Sequence, residues 1–356
     1  MMSKRILQVV GLCTFGAWGF HASAAEDMGN MTMEEHMKMM QHPAEATTAT
    51  MEHAHHEHGK GSWMFEYRFM RMNQKELLNG TSKTTAEKIL QQNGYMMVGE
   101  SMTMDMHMFM GMYGINDKLS IMLGLNYIHN DMDMVNADTT TMPGMTMVGT
   151  HSMMEVHGLG DTEVTAMYKA SPHIMLSMGV SLPTGSTDEH DHNASGNTSH
   201  GHAPYNMQPG SGTIDFKPAA TLQYHLGDFN VGAQGTFTYR PGVNAMHYNL
   251  GNRLDGAAWV KYTALPHVVL SAGLAGHFMD KVTAKSGSHM LEMVDMMPDY
   301  EPNNTGSLRT EAVFGVEGMY KNFKAGFEYG IPVYERVRGI QLETHNVIGL
   351  SVGAMF

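Results

Sequence analysis

Residues 323–331 read Phe323-Lys324-Ala325-Gly326-Phe327-Glu328-Tyr329-Gly330-Ile331, apolar at every odd position and polar or glycine at every even one. A period of two is the signature of a β-strand with unlike faces. About ten residues of it, apolar on one side, is the length a tilted strand needs to cross a bilayer. The texture repeats in 229–239, where Phe229, Val231, Ala233, Phe237 and Tyr239 alternate with Asn230, Gly232, Gln234, Thr236 and Thr238. It repeats again in 62–71, where Trp63, Phe65, Tyr67 and Phe69 share one face and Met64, Glu66, Arg68 and Met70 the other.

Twelve such segments follow one another along the chain: 62–71, 102–113, 118–128, 161–170, 173–182, 212–225, 229–240, 254–263, 267–278, 308–320, 323–331 and 346–356. Short turns at Gly114–Asp117, Ser171-Pro172, Leu226–Asp228, Ala264–Pro266 and Lys321-Asn322 alternate with long polar loops at 72–101, 129–160, 183–211, 241–253, 279–307 and 332–345. An even strand count with all long loops at one end is the pattern of an outer-membrane barrel; a soluble sandwich rarely keeps it. The polar face carries Glu66, Arg68, Asp215, Lys217, Lys261, Arg309, Glu311, Lys324 and Glu328, which suits a lumen. The expected fold is therefore all-β: a transmembrane antiparallel β-barrel of about 12 strands over 62–356, preceded by a disordered Met/His-rich tail.

Composition agrees. Only 16 % of the 356 residues are charged, too few for a disordered polymer, while a mean hydropathy of −0.26 is too polar for a helical membrane protein. Acidic residues number 35 against 22 basic ones, which argues against a nucleic-acid surface. Lys4 and Arg5, the apolar run Ile6–Phe20 and Ala22-Ser23-Ala24 read as a signal peptide over 1–24, cleaved before Ala25. Its removal takes away Cys13, the only cysteine, so neither a disulfide framework nor a thiolate metal site is expected. Residues 25–61 contain no aromatic side chain and cannot build a core.

The last strand alternates Ile348, Leu350, Val352, Ala354 and Phe356 with Gly349, Ser351 and Gly353. Its terminal aromatic looks like the signal by which bacterial barrels are handed to their insertion machinery. Gly158-Leu159-Gly160-Asp161-Thr162, Ser181-Leu182-Pro183-Thr184-Gly185 and Gln208-Pro209-Gly210-Ser211-Gly212-Thr213 resemble motifs of the outer-membrane family named for the meta-pathway of phenol degradation. That resemblance implies a transporter barrel in the outer membrane of a Gram-negative bacterium, with the lipid bilayer as its environment. The Met/His-rich tail and loops instead look like copper-resistance outer-membrane proteins.

Methionine is the compositional outlier, with 40 residues beside 22 histidines. Thioethers are soft neutral ligands suited to Cu(I) and Ag(I), and imidazole accommodates Cu(II). The candidate metal ligands are Met31, Met33, Met37, Met39, Met40, His53, His55, His56 and His58 in the tail. In the loops they are Met145, Met147, His190, His192, His200 and His202. On strand 102–113, Met102, Met104, Met106, Met108, Met110 and Met112 share one face and Thr103, Asp105, His107 and Phe109 the other. Asp105 and His107 would be costly against lipid, by ~1 kcal/mol or more near the midplane. The methionine face is therefore expected to meet lipid as plain hydrophobe. Met64 and Met70, sharing a face with Glu66 and Arg68, are the better lumen candidates. No nucleophile elbow, zincin helix or phosphate loop is present, so no enzyme and no required cofactor are expected.

The leading expectation is an outer-membrane barrel that binds or transports copper or silver in metal tolerance, with periplasmic copper proteins as partners. The alternative is a passive channel for small hydrophobic or aromatic solutes, although nothing in the strands clearly builds an apolar pocket. The tail reading has a direct check: a peptide of residues 26–60, titrated against a competing chelator, should keep Cu(I) capture from about pH 7.5 to pH 5. Cu(II) capture should be largely lost over that range, because imidazole must be neutral to bind and its unperturbed pKa is about 6.5.

Overall fold

The computed structural model describes residues 60–138, 147–191 and 202–356. The expected signal peptide and the tail through residue 59 lie outside the described residues. Twelve antiparallel strands form the wall: β1 (Trp63–Asn79), β2 (Met97–Asn116), β3 (Leu119–Asp138), β4 (Thr162–Ser171), β5 (Ile174–Leu182), β6 (Asp215–Leu226), β7 (Phe229–Thr238), β8 (Arg253–Leu265), β9 (Val268–Met279), β10 (Ser307–Tyr320), β11 (Phe323–Val337) and β12 (Ile340–Met355). Each pairs with the next, and β12 pairs back onto β1 from Met64↔Met355 to Asn79↔Ile340, so the barrel is closed. Closure satisfies backbone donors and acceptors at both edges of the sheet, the condition for a β-structure in lipid. No helix among the described residues is long and apolar enough to cross a membrane.

The outer wall presents exposed Phe65, Leu125, Leu176, Leu274, Phe314 and Leu350. Around the end carrying the short turns, Trp63, Tyr168, Tyr224, Tyr262 and Tyr320 are also exposed, the aromatic girdle expected where a barrel leaves the hydrocarbon.

Two expected loops are strand instead. Met147–Leu159 runs antiparallel to Tyr127–Asp138, so most of 129–160 is a hairpin extension of the wall, turning into β4 at Gly160-Asp161. The stretch 332–345 contains only a two-residue turn, Arg338-Gly339, with Gly339 at φ 66°. Polar residues break the apolar alternation in both, Asn130, Asp131 and Asp133 in one and Glu335, Arg336 and Arg338 in the other, which conceals strands that continue beyond the bilayer. The first long loop holds helix α1 (Ala86–Asn93), capped by Thr85, whose side chain accepts from the Lys88 N–H.

The three motifs noted in the sequence meet at one point. Asp161 Oδ1 accepts from the Gly185 N–H at 3.0 Å, and its Oδ2 accepts from Ser211 N at 2.9 Å and Ser211 Oγ at 2.7 Å. The Thr162 N–H donates to Thr184 Oγ1 at 2.8 Å. A Cβ at Gly210 would run into the Gly185 backbone, so this crossing admits only glycine. One carboxylate thus pins both arms of the loop between β5 and β6 to the mouth of the barrel. Replacing Asp161 with Ala should cost about 3 kcal/mol locally, given roughly 1.5–3 kcal/mol for each hydrogen bond to a charged group and imperfect additivity. Chymotrypsin should then reach Tyr205, buried in the parent protein, about a hundredfold faster, while the barrel stays resistant.

Candidate functional site

The interior has three parts, each built by the alternation of the strands. At the turn end, Met64, Met112, Met122 and Met167 pack together, with Met175 and Met355 against them. These six side chains come from six neighbouring strands, β12 and β1 to β5. Beside this group the lumen is ionic. Lys324 Nζ lies 2.5 Å from Glu66 Oε2, Arg68 Nη2 lies 3.4 Å from Glu66 Oε1, and Lys261 Nζ sits 5.6 Å from the Trp259 ring centre. Glu317 and Glu328 are buried beside them. Charges buried this deeply are tolerable only as a mutually compensating network.

At the loop end the interior is apolar. Leu77, α1, the upper parts of β2 and β3, Met154, Val156, Tyr205, Met207, Tyr248, Met290, Met297, Tyr300, Ile340 and Leu342 form one buried cluster. Tyr205 and Tyr248 meet edge to face at 4.9 Å, and Tyr300 donates its hydroxyl to the His202 carbonyl at 2.8 Å. Burial pushes all three phenols above the ordinary tyrosine range. Among the aliphatic members methionine dominates, and its unbranched thioether adapts to irregular space.

The third part is a split in the wall. Backbone pairing between β11 and β12 runs from Phe323↔Ala354 to Gly330↔Val347 and stops. Above that point β11 remains paired only with β10, through Pro332↔Glu311 and Val337↔Ser307, and β12 only with β1. Pro332 has no N–H to offer the ladder, and the register slips between Thr310 and Glu311 opposite it. Across the gap the Thr344 N–H donates to Glu335 Oε2 at 2.8 Å and Thr344 Oγ1 to Glu335 Oε1 at 3.2 Å. Arg309 Nη1 donates to Thr344 Oγ1 at 3.0 Å. A side chain thus holds together what the backbone leaves open. Outside, the seam is flanked by exposed Ile331, Val333 and Tyr334; inside, Ile340 and Leu342 belong to the apolar cluster.

The methionine strand is corrected by these positions. Met102, Met110 and Met112 are buried inside, while Phe109 on the other face is 53 % exposed. Asp105 and His107 lie eight and six residues above Tyr113 at the turn end, roughly 15–20 Å up an apolar band about 25 Å tall, so height lowers the expected penalty in part and polar partners on the wall offset the rest. There Asp105 accepts from Arg71 Nε at 2.7 Å, and His107 Nδ1 lies 2.8 Å from the Tyr67 hydroxyl. The strand tops and the loops jointly bury an apolar cluster that the strand patterns alone do not show.

Of the expected metal ligands, His190 and His202 are brought together. They face each other in an antiparallel bridge with ring centres 4.4 Å apart, and Asp188 forms an ion pair with His202 Nδ1. Ligand atoms of all three lie within 4.8 Å of one another. Met147 opens a strand. Met31, Met33, Met37, Met39, Met40, His53, His55, His56, His58, Met145, His192 and His200 lie outside the described residues. The seam escapes sequence reading, although Pro332 inside an otherwise alternating strand is its one visible sign.

No family model matches the chain, and no curated relative matches it. The naming after phenol degradation and the likeness to copper-resistance proteins therefore gain nothing from these comparisons. Among solved structures the chain is similar to the COG4313 outer membrane channel from Pseudomonas putida F1, at 12 % identity and a TM-score of 0.56, over 86 % of this chain and 99 % of that one. It also aligns with a Pseudomonas aeruginosa FadL homologue (10 % identity, TM-score 0.41, 83 % and 90 % covered) and with the Ralstonia pickettii toluene transporter TbuX (9 %, 0.42, 84 % and 90 %). The chain thus shares the fold of an outer-membrane channel, a closed barrel of twelve antiparallel strands.

Proposed function

We propose that the protein is a passive outer-membrane channel for small apolar or aromatic solutes, admitted at the loop end and released sideways into the bilayer through the β11–β12 seam. The seam carries this reading. It connects the apolar cluster, through Ile340 and Leu342, to the level of Ile331, Val333 and Tyr334 on the outer wall. A route straight down the axis would meet the Glu66–Arg68–Lys324 network, where an apolar solute gains nothing and must displace compensated charge. The sideways route leads from the apolar cluster to the apolar outer wall and asks that Thr344 be released from Glu335 and Arg309. The solved-structure relative is itself described as an outer membrane channel, which supports the class of function without naming a cargo.

Copper or silver handling is the second reading, favoured by the six-methionine group at the turn end, whose thioethers suit soft monovalent ions. One pair of experiments separates the two. Continuing the β11–β12 register would set Tyr334 opposite Glu343; cysteines at both positions, in a chain with Cys13 replaced, can be bridged by oxidation or by a short bis-thiol reagent. Bridging should lower cellular uptake of a labelled monoaromatic hydrocarbon at least tenfold, and reduction should restore it. Unchanged uptake in the bridged protein would sink the lateral route. Copper tolerance that depends on the chain but ignores the bridge would favour the second reading.

A further inference from the structure

On the outside of the wall, where β3 pairs with Met147–Leu159, four ligand-type side chains share one face. His129 stands directly opposite His157, and Asp131 directly opposite Glu155. His129 Nε2 lies 3.2 Å from Asp131 Oδ1 and 3.4 Å from Glu155 Oε1, and His157 Nδ1 lies 3.5 Å from the same Glu155 oxygen. The donor atoms of His129, Asp131 and Glu155 all fall within 4.8 Å of one another.

Two observations separate this from an ordinary polar surface. Like charges directly opposite each other in an antiparallel pair are destabilising, yet Asp131 and Glu155 hold that relation on a regular ladder. The Arg71 guanidinium pairs with Asp105 and also attracts Asp131, so Asp131 is compensated only in part and Glu155 is left to the histidines. The spacing is the second. Ligands about 2.0–2.1 Å from a tetrahedral zinc ion lie roughly 3.4 Å from one another, which is the separation His129 keeps from both carboxylates. The two imidazoles can at most serve one carboxylate each, His129 with Asp131 and His157 with Glu155, whereas one cation would draw on all four groups at once.

We infer that His129, Asp131, Glu155 and His157 form a binding site for a divalent transition-metal cation of the zinc type, fastening the hairpin of β3 and Met147–Leu159. Two imidazoles and two carboxylates suit Zn(II), and also Cu(II), better than the thioether-seeking Cu(I) or Ag(I). The site lies on the outside of the wall and does not depend on the solute route.

Equilibrium dialysis of the full-length protein, metal-stripped and folded in detergent, against Zn(II) tests it. Histidines elsewhere in the chain give a background common to every variant. His129→Gln with His157→Gln should lose one tightly bound zinc per chain, and Asp131→Asn should weaken that equivalent at least tenfold. Retention of the barrel is checked by heat-modifiable mobility. If the double variant fails to fold, Glu155→Gln serves in its place with the same expected loss. Anomalous scattering from zinc-soaked crystals should place an ion between His129 and Glu155. An unchanged zinc count and affinity, or no anomalous peak there, would mean that the histidines only share protons with the carboxylates and would overturn the site.

Discussion

Everything in this molecule depends on the requirement that a strand in lipid find hydrogen-bond partners on both edges. The pairing of β12 with β1 meets it, and every other strand is placed by the same demand. The β11–β12 seam stands out because it is where that demand is met by other means. Pro332 removes a donor, the slip opposite it absorbs the mismatch, and Glu335 accepts from the Thr344 N–H that the ladder would have engaged. Such an interruption is sustainable only near the upper edge of the apolar band, where water can approach, and that is where it occurs.

Inside the wall, two chemistries divide the space. The ionic groups near the turn end tie strands together by mutual compensation, as between Lys324 on β11 and Glu66 on β1, which reach each other across β12. The methionine side supplies contact without polarity. Above both, Asp161 draws the loop between β5 and β6 over the mouth, and the loop brings Tyr205 and Met207 into the apolar cluster. The sequence motifs that suggest a family resemblance therefore have a physical role as the anchor of the cap.

Much of this is legible in the sequence, and the exceptions are instructive. Residues 229–239 and 323–331 announce strands because their two faces differ in kind, and the inward placement of Glu66, Arg68, Lys261 and Lys324 follows from it. The methionine strand misleads because alternation separates two faces without saying which is inward; height along the wall decides, and height depends on where β2 begins. The segments 129–160 and 332–345 look like loops because polar residues hide strands that run past the membrane. His190 and His202 stand out as candidates by type, but that they oppose each other across a bridge is a matter of register, which residue types do not encode. The facing of His129 and His157 has the same origin.

The methionine-rich cap has a further implication for selectivity. Aliphatic and thioether side chains with several rotatable bonds impose no fixed outline on what enters, and in the cluster at the mouth the polar tips are mainly those of tyrosines. Discrimination there would follow the partition coefficient of the solute more than its silhouette, so that preference would rise smoothly across a homologous series with each added methylene, by about 0.8 kcal/mol until the space is filled. If the barrel conducts solutes as proposed, its breadth of cargo would follow from this adaptable interior rather than from a fixed outline.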